Sequence, residues 1–440
     1  MDNSIAPRQN VFKNKNFALL FGGVLVSNIA HIMFNFVMSL YVLRIATEAF
    51  GEDLAPMYQG YYLALAGIVL VVLMPFGGAL ADRLNKVRTM YITDFIRGAT
   101  ILGVAYLVFS SSDPSQKLIY LFIMNAILGI NSAFFNPASS SLLRFIVKEE
   151  EIHQASSYLH GSYALQNIAG LVLGGILFSL FSVYVIFLIN GIAYLLSGVT
   201  ELFIKYNAKE HVQKTKLDSV FKDIKSGIKY LFNYKAMFSL LLMALFLNFF
   251  SVPLFQNAIP YFIEFGLGKE VTFLFDGFMT VENWFSVIML ASSVSGIIMS
   301  LILSRRRPKE SYAKDLRVAL IAFSVFGLFI GGYMSLYHLG YLGVNYILIL
   351  LPVTMFLIGF ASVGFNVPVS ITFQKKIEKS QLGKVTSLSS VLSQALVPIS
   401  ALVAGLLISK ISIIAVYAFC GIGMTAVVIL YLSNKNSGAI

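Results

Sequence analysis

Residues 77–88 read GGALADRLNKVR, a short polar turn between two long apolar runs. The turn and its continuation carry Asp82, Arg83, Lys86, Arg88 and Asp94. The flanking runs, 57–81 and 89–110, are each long enough to cross a bilayer, which takes about 20 predominantly apolar residues per helix. A charged knot between two such runs reads as a loop at a membrane surface. The chain repeats the pattern from one end to the other.

Composition agrees. Of 440 residues, 58% are hydrophobic and 12% charged, against about 25% charged in soluble domains, and the mean hydropathy is +0.80. A membrane β-barrel would alternate polarity along segments of about ten residues, and no such pattern occurs. The expectation is an all-α membrane protein with twelve transmembrane helices, at 17–43, 57–81, 89–110, 118–143, 156–180, 183–204, 236–263, 284–304, 316–337, 344–371, 384–409 and 411–433. The first run is too long for a signal-peptide core and no small-residue cleavage site follows it, so it reads as a retained helix. Cys420 is the single cysteine, which rules out an intramolecular disulfide.

The net charge of +11 is a matter of topology rather than of nucleic-acid binding. All Lys and Arg residues except Arg44, Arg97, Lys117, Lys269 and Lys410 fall in the terminal segments and alternate loops of one side. Positive charge marks cytoplasmic loops, so both termini are expected in the cytoplasm of a cell whose plasma membrane holds the chain. The abundance of Lys, Asn and Ile suggests a bacterium.

The longest hydrophilic stretch, 205–235, carries eight lysines from Lys205 to Lys235 and divides the spans six and six. It is read as a solvated cytoplasmic linker between an N-terminal bundle (1–204) and a C-terminal bundle (236–440), with anionic lipid as a secondary contact. Leu217 to Tyr230 has the spacing of a helix lying on the membrane surface. The halves echo one another. Phe135-Asn136-Pro137 ends the fourth span and Phe365-Asn366-Val367-Pro368 the tenth; Ser156-Ser157 and Thr386-Ser387 follow twenty residues after each Asn, and Gly174 and Gly405 keep nearly the same offset. Three matches in register indicate a duplicated six-helix unit, a transporter plan that puts substrate near the midplane between repeats.

GGALADRLNKVR resembles the G-x-L-A-D-R-x-G-R-K/R loop signature of the major facilitator superfamily. Gly78, Leu80, Ala81, Asp82 and Arg83 match, Lys86 and Arg88 keep the basic character, and Asn85 replaces a Gly. FFNPASSSLLRFIVKEEEIHQASS, NIAGLVLGGIL and QKKIEKSQLGKV are similar to the branch that holds macrolide efflux proteins, siderophore exporters and lysophospholipid transporters. The resemblance implies two six-helix pseudo-repeats, and an electrostatic latch in which Asp82 faces the start of the eleventh helix, near Gly383-Lys384 in the other half. A helix N-terminus attracts an anion. Gly78 allows close helix approach, and Arg83, Lys86 and Arg88 are expected to meet the inner leaflet. Asp94 and Arg97, three residues apart on one helix face, are candidates for a structural ion pair or for coupling to protons or to the latch. Two other family signatures depart from the pattern: the fourth span reads Asn125-Ala126-Ile127-Leu128-Gly129 without its Arg, and the fifth reads Gly170 to Gly175 (GLVLGG) without its Pro. Gly170, Gly174 and Gly175 still offer a small-residue packing face.

The resemblance also implies that helices one, four, seven and ten line a cavity. Polar residues at helical spacing supply its candidates: Asn28, His31 and Asn35; Asn125, Ser132 and Asn136; His160 and Asn167; Asn248 and Gln256; Ser387 and Gln394. Amide groups in an apolar wall suit an amphiphilic or neutral small molecule. The remaining acids read as lying at ends or in loops, with Glu201 and Glu282 at the margins, so no buried acid to balance a cationic substrate is expected. His31 could carry a proton or hold an interhelical hydrogen bond.

The expected activity is proton-coupled export of such a molecule by rocking of the two halves, by a chain acting as a monomer with membrane lipids around it and without cofactor or metal. The alternatives are a lysophospholipid flippase or siderophore exporter of the same fold. A non-transporting sensor is a further class. A membrane-embedded enzyme is disfavoured because the five histidines are scattered and no HExxH occurs, and no P-loop for ATP is present. The segment 264–283 is expected to be a loop, or a cap over the outer mouth. One consequence is directly testable: fluorescent-protein fusion to the C-terminus is expected to give a bright cytoplasmic reporter, and alkaline phosphatase inserted at Asp276 an active one, the reverse pair overturning the topology.

Overall fold

The computed structural model describes residues 11–81, 84–148, 151–205, 234–306, 311–377, 389 and 392–434. Among these the chain is helical, with twelve helices long and apolar enough to cross a membrane. We number them α1 (Lys15–Phe50), α2 (Ala55–Ala81), α3 (Lys86–Ser110), α4 (Pro114–Ile146), α5 (Ile152–Leu180), α6 (Val183–Leu202), α7 (Lys235–Lys269), α8 (Val281–Arg305), α9 (Ala313–His338), α10 (Val344–Lys376), α11 (Leu392–Lys410) and α12 (Ile413–Ser433).

Several helices outrun their apolar runs because polar caps begin them further out. Asn14 accepts from the amides of Asn16 and Phe17 to start α1, Asn85 accepts from Arg88 N to start α3, and Asp113 with Pro114 behind it starts α4. Such side chains satisfy the orphan amides of the first turn. At 36 residues and 1.5 Å per residue, α1 is about 54 Å long and projects well beyond the hydrocarbon. α7 likewise continues to Lys269, through two π-helical turns at Leu254–Ala258 and Phe262–Gly266.

The helix contacts repeat with a period of six. α1 packs on α5 and α6, α2 on α4, and α3 on α4 and α6; likewise α7 packs on α11 and α12, α8 on α10, and α9 on α10 and α12. Between the six-helix units the main contacts are α2 with α11 and α5 with α8, which the same two-fold relation exchanges. The chain between the units, 206–233, lies outside the described residues, as does most of the stretch before α11.

Gly60 on α2 and Gly405 on α11 make the first of these contacts possible. A Cβ on Gly60 would stand 2.7 Å from the carbonyl oxygen of Ala401, and one on Gly405 2.6 Å from that of Pro56. Membrane helices have no hydrophobic drive to associate, so such small-residue approaches carry the packing. Gly170 and Gly174 receive Ile32 and Phe36 of α1, whereas Gly175 faces Ser286 of α8. Replacing Gly405 with Leu is expected to separate α2 from α11 and to cost about 1–3 kcal/mol, the usual penalty of overpacking; a melting temperature equal to wild type in purified protein would contradict the contact.

Candidate functional site

Polar side chains gather in three places. The first is a string along α1. Asn28 Nδ2 donates to Gln166 Oε1 of α5 at 3.1 Å, and both ring nitrogens of His31 are engaged, Nδ1 with Tyr194 Oη of α6 and Nε2 with Asn35 Nδ2, each at 3.0 Å. Asn35 is exposed although it lies mid-helix, and so are Asn136 on α4, Asn167 on α5, Gln256 on α7, Asn366 on α10 and Gln394 on α11. An amide turned to lipid has no partner there and costs several kcal/mol. Water rather than hydrocarbon is the surrounding that suits such amides. Asn167 and Asn366 spend one N–H on the carbonyl a turn earlier, Tyr163 and Ser362.

Other candidates serve structure. Asn125 donates to the Tyr62 carbonyl at 2.6 Å, joining α4 to α2, and Asn248 donates to the Ser393 carbonyl, joining α7 to α11. The surroundings of Gly78, the side chain of His160, and residues Asp82, Arg83, Gly383, Lys384 and Ser387 lie outside what is described. Lys86 departs from expectation: it is buried at 2% exposure with Nζ over the Phe145 ring at 4.9 Å, whereas Arg88 is exposed. The start of α3 is packed on α4, which takes the lysine away from the leaflet.

The second place is inside the N-terminal unit. Arg97 Nη1 donates to Asp94 Oδ1 at 3.0 Å and Nη2 to Ser132 Oγ at 3.1 Å, while its guanidinium lies over the rings of Phe135 (4.5 Å) and Tyr194 (5.3 Å). Ser132, expected in the cavity wall, is thus a partner of the ion pair. Glu201 of α6 corrects a second expectation. It stands one residue from the end of its helix, yet it is wholly buried, within electrostatic range of Asp94 and Arg97. Helix position alone suggested a marginal residue; packing of α6 against α3 and α1 encloses it. Its signal was present in the sequence, because Asn190, Tyr194, Ser197 and Glu201 share one face of α6 at helical spacing.

The third place is the end of the bundle opposite the termini. Arg44 Nε lies 2.9 Å from both carboxylate oxygens of Glu264 on α7, its Nη2 2.8 Å from Glu282 on α8, and its guanidinium 5.0 Å from the Phe178 ring. Lys269 pairs with Glu52, Ser286 Oγ donates to the Leu171 carbonyl, Met57 N donates to Ser409 Oγ, and the Phe36 and Phe285 rings stack at 4.4 Å. All of these contacts except that of Arg44 with Phe178 join the two six-helix units. These hydrogen bonds and ion pairs between the units lie together at this end. The segment after α7 also belongs here. Its backbone is held by Trp284 Nε1 donating to the Leu274 carbonyl and by Asn345 accepting from Leu274 N, over a cavity of about 490 Å³ bordered by Arg44, Glu264 and Glu282. Among the described residues no cluster of three or more metal-ligating side chains occurs.

Comparison with known proteins agrees with this architecture. The family model of the Major Facilitator Superfamily matches residues 20–398. The uncharacterised MFS-type transporter YfiS of Bacillus subtilis is 25% identical over 371 residues, covering 81% of either chain. Macrolide efflux protein A of Streptococcus pyogenes is 23% identical over 414 residues, 91% of this chain and 92% of its own. Among solved structures, a D-xylose–proton symporter superposes with a TM-score of 0.71 at 12% identity, covering 98% and 99% of the two chains.

Removing the Arg44 guanidinium leaves Glu264 and Glu282 facing each other without a counter-charge. Hydrogen bonds to charged groups are worth about 1.5–3 kcal/mol each, so Arg44→Ala is expected to raise opening at this end by about tenfold or more (1.4 kcal/mol per factor of ten). A maleimide that does not cross the membrane, reacting with Ser286→Cys, reads the change; an unaltered labelling rate would remove Arg44 from the closure.

Proposed function

This chain belongs to the Major Facilitator Superfamily, and from that membership we propose that it exports an amphiphilic, uncharged small molecule in exchange for protons. It is a transporter, not an enzyme, and a multi-pass protein of a bacterial plasma membrane. Direction, coupling ion and substrate class are our reading.

The observation that carries it is the group of polar bonds that joins the units at the end opposite the termini. A transporter that closes one end at a time would, when closed there, open toward the end that bears the termini. The basic residues put the terminal end in the cytoplasm, so the cavity in this conformation takes substrate from the cytoplasm. Likeness to a macrolide efflux protein supports export over uptake. The amides bordering the cavity offer hydrogen bonds without charge, while Asp94, Arg97 and Glu201 are buried behind them. Net charge on the substrate would meet no partner in such a wall, and hydroxyl, carbonyl and amide groups would.

Transport then follows from differential affinity: substrate and protons bias the equilibrium between one open end and the other only insofar as they bind the two forms unequally. The paired contacts of α2 with α11 and α5 with α8 are the surfaces on which the units would rock, acting as a monomer.

In inside-out vesicles with an acidic lumen, labelled macrolide is expected to accumulate several-fold, and a protonophore is expected to abolish the accumulation. Movement of labelled lysolipid that ignores the pH gradient, with no macrolide uptake, would replace export by a flippase.

A further inference from the structure

We propose that Glu201, with Asp94 beside it, forms a one-proton site inside the N-terminal unit, and that this site carries the proton exchanged for substrate. The coupling half of the proposal rests on the export reading above; the proton site itself does not.

Charge bookkeeping at the cluster leads there. Asp94 is neutralised by Arg97, which donates to its Oδ1 at 3.0 Å. Glu201 then remains as a second carboxyl group at 0% exposure, with no second cation beside it among the described residues. Neither of its oxygens has a hydrogen-bond partner, and Asp94 Oδ2, Arg97 Nε and Ser197 Oγ are likewise buried and unpartnered. An isolated buried carboxylate is far more costly than a neutral carboxylic acid, so a group in this position takes up a proton. Two carboxyls and one guanidinium reach neutrality with one added proton: Asp94 as carboxylate, Arg97 as cation, Glu201 as acid. Ser197 stands one helical turn before Glu201 on the same face of its helix.

Among the described residues the surroundings contribute no alternative counter-ion. α3 supplies Asp94 and Arg97, the charged groups that act on Glu201 among the described residues. α1 presents Gly23, whose missing side chain leaves room for Thr200 and Ser197. From α1, His31 joins the cluster through Tyr194, whose ring lies beneath Arg97. Occupation of the cavity near His31 and Asn35 can therefore reach the ion pair by way of Tyr194. Pulling Arg97 toward the cavity would free Asp94 to share the proton; moving Arg97 toward Glu201 would expel it. His31, with both nitrogens already bonded, acts as a connector in this scheme.

The test uses the full-length protein in liposomes, wild type beside Glu201→Gln, Glu201→Asp and His31→Gln. The infrared carbonyl stretch of a protonated carboxylic acid is expected in wild type, lost in Glu201→Gln, and kept in His31→Gln. Macrolide accumulation in Glu201→Gln is expected to lose its response to an imposed pH gradient, at least tenfold, whatever its absolute rate, and Glu201→Asp to restore part of it. The proton site is overturned by absence of the acid band from wild type or its survival in Glu201→Gln. The coupling role is overturned if Glu201→Gln keeps the pH-gradient response, or if His31→Gln alone loses it. A wild type that ignores the gradient would sink the export reading instead, and the infrared band then decides the proton site on its own.

Discussion

The bonds from Arg44 to Glu264 and Glu282 hold one end of the bundle shut, and the accessibility of every other polar group follows from that closure. They tie α1 of one unit to α7 and α8 of the other. Because helices in lipid gain nothing hydrophobic from meeting, a few polar bonds and the Gly60–Gly405 approach decide whether the units stay together there. Arg44 is about one-third exposed, so water can replace its partners when they separate. That makes the closure inexpensive to reverse, as a gate requires.

The charges inside the N-terminal unit are of the opposite kind. Arg97 and Asp94 are almost wholly buried, and breaking such a pair by removing one partner costs about 3–5 kcal/mol. Together with Asn125 bridging α4 to α2 and Asn28 bridging α1 to α5, they make six helices one body. Half-exposed ion pairs between the units and a buried one within a unit separate the joints that open readily from those that are costly to break. The proton proposed on Glu201 sits within that unit and is linked to His31 and Asn35 through Arg97 and Tyr194, a path by which substrate would influence it.

Much of the fold was legible because the bilayer imposes a strong pattern: twelve apolar runs, their polar turns and the repeat around Asn136 and Asn366 all show in the sequence. Helix ends were less so. Apolar runs stop at the hydrocarbon, whereas Asn14, Asn85 and Asp113 cap helices beyond it. Polar strings on a single helix could be found by spacing, as with Asn28, His31 and Asn35. What spacing cannot give is the partner across a helix interface. Ser132 and Asn125 look like cavity residues until Arg97 and the Tyr62 carbonyl are seen beside them. Glu201 looks marginal until α3 is placed against it, and Arg44 looks like a stray outer charge until Glu264 and Glu282, more than two hundred residues away, arrive at its side.

Alternating closure of the two ends is the claim on which the account stands, and paired distances test it most directly. Spin labels at Glu52 and Lys269 read the end held by Arg44, and labels at Arg88 and Lys314 read the end that bears the termini. Addition of transported substrate under a pH gradient is expected to lengthen the first distance while shortening the second. Two distances that stay fixed, or that change in the same sense, would contradict a rocking transporter closed at one end at a time.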